Sequence, residues 1–222
     1  MFGKKKQNIE IYADPISVNC KKVLAGLQLM EIDYTLCKVD YFAGEQKSPE
    51  YTALNPNMSL PTMKEGDFVL WESNIILQYV ADAHKKNAFY PKDLRTRADL
   101  NRWMSWETGQ WFPSCYTYLV ENCVKPVLGA SPDQSILDGE AERFHLLAGT
   151  LDSRLQHSDW LGGTSPTIAD IAIAAPMHLH TEQKLPLEKY PHLTAWMTER
   201  IEKLPCWQNT LVGPGFKLVN AA

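Results

Sequence analysis

The residues best placed to do chemistry sit where short extended runs hand over to helices. In Asp14-Pro15-Ile16-Ser17-Val18-Asn19-Cys20-Lys21-Lys22-Val23, Ser17 falls at the cap or first turn of a helix. A helix N-terminus carries unpaired N–H groups and the positive end of a dipole, so it favours an anion. The plainer alternative is a serine that only caps a backbone N–H. Trp71-Glu72-Ser73-Asn74 repeats the arrangement. Ser73 with its N–H suits a carboxylate and Glu72 suits an ammonium, together an α-amino-acid head group; the alternative is again a helix cap. Leu60-Pro61 opens a strand between them. A cis proline there would turn the Leu60 amide outward to pair with an extended peptide, whereas a trans proline would be an ordinary edge-strand residue.

The elements that must hold these residues follow from hydrophobic rhythm. Residues 9–13 read as a strand ended by Asp14-Pro15, and 18–30 as a helix with Val23, Leu24, Leu27 and Met30 on one side. Residues 32–39 alternate, 48–54 can make a short helical turn, and 60–63 and 68–70 flank Glu65-Gly66-Asp67 as a hairpin. Residues 73–84 form a helix with Ile76, Leu77 and Val80 inward. The order β-α-β, then β-β-α, predicts a small α/β domain of thioredoxin-like type over residues 1–84. After a linker at 85–94 the strand signal disappears, and 95–222 reads as an all-helical domain. Its helices are expected at 95–125, 135–157, 167–184 and 192–204, with Pro113 interrupting the first near Gln110. Thr167-Ile168-Ala169-Asp170 carries a capping-box pattern, and the apolar run from Ile168 to Ala175 predicts a buried central helix.

Several motifs in order resemble one family. Asp14–Val23, Asn55-Pro56-x-x-Ser59-Leu60-Pro61 and Gly66–Ile76 are similar to the N-terminal domain of cytosolic glutathione transferases. Trp160-Leu161-Gly162-Gly163, Pro166–Ala172, Tyr190-Pro191-His192-Leu193-x-x-Trp196 and Leu204-Pro205-x-Trp207 resemble the C-terminal domain. The resemblance runs from about residue 9 to about residue 211. It implies glutathione as co-substrate, an electrophilic small molecule as second substrate, and a homodimer. Ser17 would then donate a hydrogen bond to the glutathione sulfur, favouring a thiolate that is scarce at neutral pH for a thiol of pKa about 8.5. Leu60, with Pro61 and Ser59, would meet the peptide backbone. Glu72 and Ser73 would hold the γ-glutamyl end, and Gln46 and Lys47 the glycyl carboxylate.

Ser17-x-Asn19 looks like a bacterial subset in which the Asn also approaches the sulfur and some members reduce disulfides. Asn19 is thus a second catalytic candidate, against a solvent-facing first-turn residue. Cys20 is a competing nucleophile, almost a turn further into the helix than Ser17. Ile16, Trp106, Gln110, Trp111, Cys115 and Tyr116 are expected to line the electrophile pocket, though each Trp could instead be core. The tail 214–218 could lie over the opening or fray. Three functions follow: conjugation to small apolar electrophiles, glutathione-dependent disulfide or peroxide reduction, and a non-catalytic binding module. The retained Ser17, Leu60-Pro61 and Glu72-Ser73 speak against the third.

Composition narrows the partners. The 222 residues carry 22 Lys+Arg against 26 Asp+Glu, a net charge of −4, with no basic block, so no nucleic-acid partner is expected. No apolar stretch approaches a membrane span. The small basic cluster Lys4–Lys6 runs into Gln7-Asn8-Ile9-Glu10 instead of an apolar signal core, and a cytoplasmic chain is expected. The five cysteines are scattered without a C-x-x-C and the six histidines are dispersed, which predicts reduced thiols and no metal site.

Overall fold

The computed structural model describes residues 8–210 together with the backbone of residues 212–213 and 217–218. The basic cluster at 4–6 and tail residues 214–216 lie outside the described residues. β1 (Ile9–Ala13) alternates buried and half-buried side chains, as a strand with one covered face must. α1 (Val18–Leu29) follows after a four-residue turn and presents Val23, Leu24 and Leu27 to the core, with Met30 buried just beyond its end. β2 (Thr35–Lys38) returns parallel to β1, shorter than the alternation from Ile32 suggested. α2 (Pro49–Leu54) is capped by Ser48, whose hydroxyl accepts from the Tyr51 N–H, with Pro49 in the first turn. β3 (Thr62–Glu65) and β4 (Phe68–Trp71) form the hairpin, turned by Gly66 at φ 66°. The sheet order is β2-β1-β3-β4, with only the β1–β2 pair parallel. α3 (Ser73–Ala83) buries Ile76, Leu77 and Val80 completely.

The second half is helical. One long helical column begins with α4 (Leu94–Trp106), widens into a π turn at Glu107–Trp111, continues as α5 (Phe112–Leu119), widens again at Val120–Val124 and ends in α6 (Lys125–Val127). Pro113 sits in the first turn of α5, directly after the first π turn. The wide register accommodates a residue that has no N–H and would clash with an α-helical carbonyl. α7 (Gln134–Leu155) is a continuous 22-residue helix. α8 (Ile168–Ala174) is buried at every residue. The expectation of a helix to residue 184 is corrected here: Pro176 removes a donor, and α8 closes in a 3-10 turn at Ala175–Met177. α9 (Pro191–Ala195) opens the closing column, which widens at Trp196–Arg200 and tightens at Ile201–Lys203 before α10 (Pro205–Gln208). β5 (Val212–Gly213) and β6 (Lys217–Leu218) pair antiparallel beyond it, a hairpin the sequence pattern had not signalled.

One apolar core runs through both halves, because α1 packs on α3 from one side and on α8 and α10 from the other. Gly26 allows the close approach of α1 to α3: a Cβ there would stand 2.5 Å from the Leu77 side chain.

Candidate active site

Ser17 is the residue before α1, in extended backbone (φ −74°, ψ 133°), and its side chain makes no capping bond to the helix. Asn19, in the first turn, accepts from the Ser73 hydroxyl at 3.3 Å. Ser73 in turn accepts from the buried Lys22 ammonium at 3.1 Å, and Lys22 is paired with Glu107 at 2.9 Å. Asn74 donates to the same Glu107 oxygen at 3.0 Å and to the Met104 carbonyl at 2.9 Å. The N-termini of α1 and α3 are thereby tied to each other and to the first π turn of the helical half. Glu72, exposed, precedes α3 at φ 75°, a left-handed conformation that costs a non-glycine residue about 1–3 kcal/mol and is typically kept at functional sites.

The Leu60-Pro61 peptide is cis. Sheet pairing starts only at Thr62, so Leu60 lies outside the β ladder. Its approach is braced from α2: the Tyr51 hydroxyl and the Asn55 amide donate to the Ser59 carbonyl at 2.6 and 2.9 Å, and both also meet the Thr62 hydroxyl. Pro61 is buried and Ser59 exposed. Gln46 and Lys47 lie in a 3-10 turn, Glu45–Lys47. Gln46 is buried with its Oε1 lacking a protein partner, and Lys47 is exposed.

Ser17, Asn19, Ser59 and Leu60 border a cleft of about 640 Å³ between the halves. Its other walls are apolar. Tyr41, Phe42 and Met58 come from the sheet half, and Phe112, Tyr116, Leu119, Val124 and Leu128 from the long column. Of the expected pocket residues, Ile16 and Tyr116 line this cleft, and four do not. Trp111 is fully buried, donates its indole N–H to the Ile173 carbonyl at 3.0 Å and stacks on Trp106. Trp106 also packs edge-on against Trp103. Gln110 is exposed and accepts from Arg143. Cys115 is fully buried, and burial holds its thiol well above the ordinary range. Their placement has a geometric cause. The π turn takes an extra residue before α5, so Phe112 and its i+4 neighbour Tyr116, stacked at 5.3 Å, face the cleft in place of Trp111 and Cys115. The cleft therefore draws on both halves, and the wall from residues 41, 42 and 58 had no periodic signal to reveal it.

All five cysteines are free thiols. Cys20 is fully buried, and burial, against weaker pulls from the Ser17 hydroxyl and the Asp14 backbone, pushes its pKa up to about 12. Both its burial and the raised pKa disfavour the thiolate that nucleophilic attack needs. No group of three or more metal-type side chains occurs among the described residues.

A sheet domain that presents helix N-termini and a cis Leu60-Pro61 peptide outside the β ladder, closed by a helical domain over an apolar cleft, defines a two-domain class. The family models agree: residues 9–82 match the glutathione S-transferase N-terminal domain and 120–205 the C-terminal domain. A probable glutathione S-transferase, GSTF2, of Oryza sativa subsp. japonica is 28% identical over 86% of this chain and 90% of its own length. The crystal structure of glutathione transferase F7 from Populus trichocarpa superposes with a TM-score of 0.83 at 28% identity, covering 91% of this chain and 97% of that one. The glutathione-bound theta class enzyme of Xanthomonas axonopodis pv. citri gives 0.82 at 29% identity, covering 93% and 98%. The chain belongs to the glutathione S-transferase family.

Proposed function

We propose that Ser17 activates the thiol of bound glutathione for attack on a small apolar electrophile held in the cleft. The observation that carries this is the Ser17 side chain: it stands at the N-terminus of α1, on the cleft, and makes no capping bond to the backbone. A hydroxyl donor and the positive helix end both stabilise a thiolate against the thiol. Asn19, whose oxygen is engaged by Ser73, keeps an NH₂ to offer the same sulfur. Leu60, after Ser59 and before Pro61, meets the cysteinyl backbone. Glu72 and Ser73 take the γ-glutamyl ammonium and carboxylate, and Gln46 and Lys47 take the glycyl carboxylate. The sheet half, residues 1–84, thus binds glutathione. Past the 85–94 linker, the helical half supplies Phe112 and Tyr116 to the electrophile, while Ile16, Tyr41 and Phe42 supply the facing wall. We further propose a cytoplasmic homodimer; among the described residues no helix is long and apolar enough to cross a membrane.

The test is conjugation of an aryl halide assayed beside reduction of a model disulfide, both with glutathione. Ser17→Ala lowers kcat/KM for the aryl halide by about 10²-fold, the usual cost of deleting one transition-state hydrogen-bond donor. Glutathione affinity by calorimetry stays within a few-fold. Full turnover in Ser17→Ala with loss in Cys20→Ala overturns the assignment.

A further inference from the structure

Asp14 is a buried carboxylate that the chemistry at sulfur does not use. It follows directly after β1, is 4% exposed, and makes no ion pair among the described residues. Removing a carboxylate from water without a cation is costly unless fixed donors replace the solvent. Here the donors are two backbone amides from different loops. The Ile16 N–H donates to Oδ1 at 3.3 Å, within the turn that leads to Ser17, and the Tyr41 N–H donates to Oδ2 at 3.0 Å, across from β1 to the loop after β2. The Asp14 carbonyl also accepts from the Ser17 N–H at 3.0 Å.

The loop on the far side of this bridge is braced within itself. The Asp40 carboxylate accepts from the Ala43 N–H at 2.9 Å, the Glu45 carboxylate accepts from the Asp40 N–H at 2.6 Å, and Gly44 N–H closes on the Tyr41 carbonyl at 3.2 Å. A loop stitched this way shifts as a unit, and its tether to Asp14 fixes where the unit sits. It carries Tyr41 and Phe42, two exposed aromatics packed edge to face at 6.0 Å, which face Phe112 and Tyr116 across the cleft.

We propose that Asp14 is a positioning residue for the second substrate: its carboxylate pins the Tyr41–Phe42 wall to the Ile16–Ser17 turn and so sets the width of the cleft for flat aromatic electrophiles. The inference rests on reading the cleft as the electrophile site. Hydrogen bonds from amides to a carboxylate are roughly twice as strong as neutral ones. Asparagine keeps the shape but offers one acceptor, so Asp14→Asn releases one of the two loops. A ring gripped between two walls then loses one. A short alkyl electrophile, too small to touch both, is unaffected.

The experiment measures KM and kcat of the full-length wild type and Asp14→Asn with 1-chloro-2,4-dinitrobenzene and with iodoethane, at saturating glutathione. Beside these, the thiolate absorbance of bound glutathione is titrated with pH, and exchange of the Tyr41 amide proton is followed by NMR. Asp14→Asn raises KM for the aryl halide roughly tenfold, equivalent to about 1.4 kcal/mol, and speeds Tyr41 amide exchange. The iodoethane KM, the glutathione KM and the thiolate titration stay within about twofold of wild type, which simple structural damage would not spare. Tyr41→Ala brings the same aryl-selective loss, and combining it with Asp14→Asn adds little more. Asp14→Ser, which buries no charge, is the second variant should Asp14→Asn fail to fold. An equal rise of KM for both electrophiles, a displaced thiolate titration, or an unchanged aryl KM overturns the proposal. A wild type that conjugates neither electrophile overturns the reading of the cleft, and the inference with it.

Discussion

Lys22 and Glu107 are both buried, 2.9 Å apart, and each has further work. Lys22 also donates to Ser73, and the Glu107 oxygen also accepts from Asn74. A buried pair adds little net stability over an apolar pair of the same volume, but removing one partner leaves a stranded charge that costs about 3–5 kcal/mol. Glu107→Ala is therefore expected to lower unfolding free energy by that amount in urea titrations. Lys22→Met with Glu107→Leu recovers most of the stability but not the hydrogen bond to Ser73, so KM for glutathione stays raised. Recovery of both stability and KM would separate the pair from the ligand site. Neither residue is legible in the sequence as a partner of the other, because they stand 85 positions apart and no local pattern links them. Ser17, Leu60 and Ser73 are legible because each occupies a junction between elements, where local chemistry alone marks the position. Tyr41 and Phe42 are not: an aromatic pair in a polar loop has no period, and its role follows from an amide meeting Asp14 across the sheet.

At the scale of the element, the strands and α1 to α3 follow their patterns to within a few residues, since amphipathic periodicity is a local property. The helical half departs wherever proline meets a buried run. Pro113 is absorbed by a π turn that rotates the following face by one residue, and Pro176 ends α8 ten residues short of the expected helix end at residue 184. His178 closes the turn after α8. It is buried, and its Nδ1 lies 3.1 Å from the Ala175 carbonyl, which makes Nδ1–H the donor and leaves Nε2 bare and without a protein partner. Burial, reinforced by the nearby Lys21 charge, lowers its pKa to about 3. In the unfolded chain histidine titrates near 6.5. Below that pH the unfolded state takes up a proton that the folded state refuses until about pH 3. Stability from this group is thus complete above 6.5 and drains away as pH falls, at up to about 1.4 kcal/mol per unit. Between pH 7 and 5, wild-type unfolding free energy is expected to drop about 2 kcal/mol further than that of His178→Gln, whatever the substitution costs at pH 7. Parallel slopes for the two proteins would show that His178 does not carry the dependence.

The whole molecule is closed on itself through α1. Its Lys21 ammonium donates to the Thr210 carbonyl at 2.8 Å and lies 4.1 Å from the Trp207 ring centre, so the first helix caps the last one. Burial lowers the Lys21 pKa to about 7. Elsewhere on the surface, Trp71 at the end of β4 and Ile75 in the first turn of α3 stand exposed on either side of Glu72. Exposed large apolar side chains of this kind form the strip that a partner would cover. The proposed homodimer, if it covers this strip, also shields the backbone turn that holds Glu72 at positive φ. Light scattering of the wild type is then expected to give twice the 25.2 kDa chain mass. Trp71→Arg combined with Ile75→Glu halves it, and KM for glutathione rises as the Glu72 turn loses its cover, with the fold retained by circular dichroism. A dimer that survives both substitutions moves the interface elsewhere on the surface, whereas a wild-type monomer ends the dimer reading altogether.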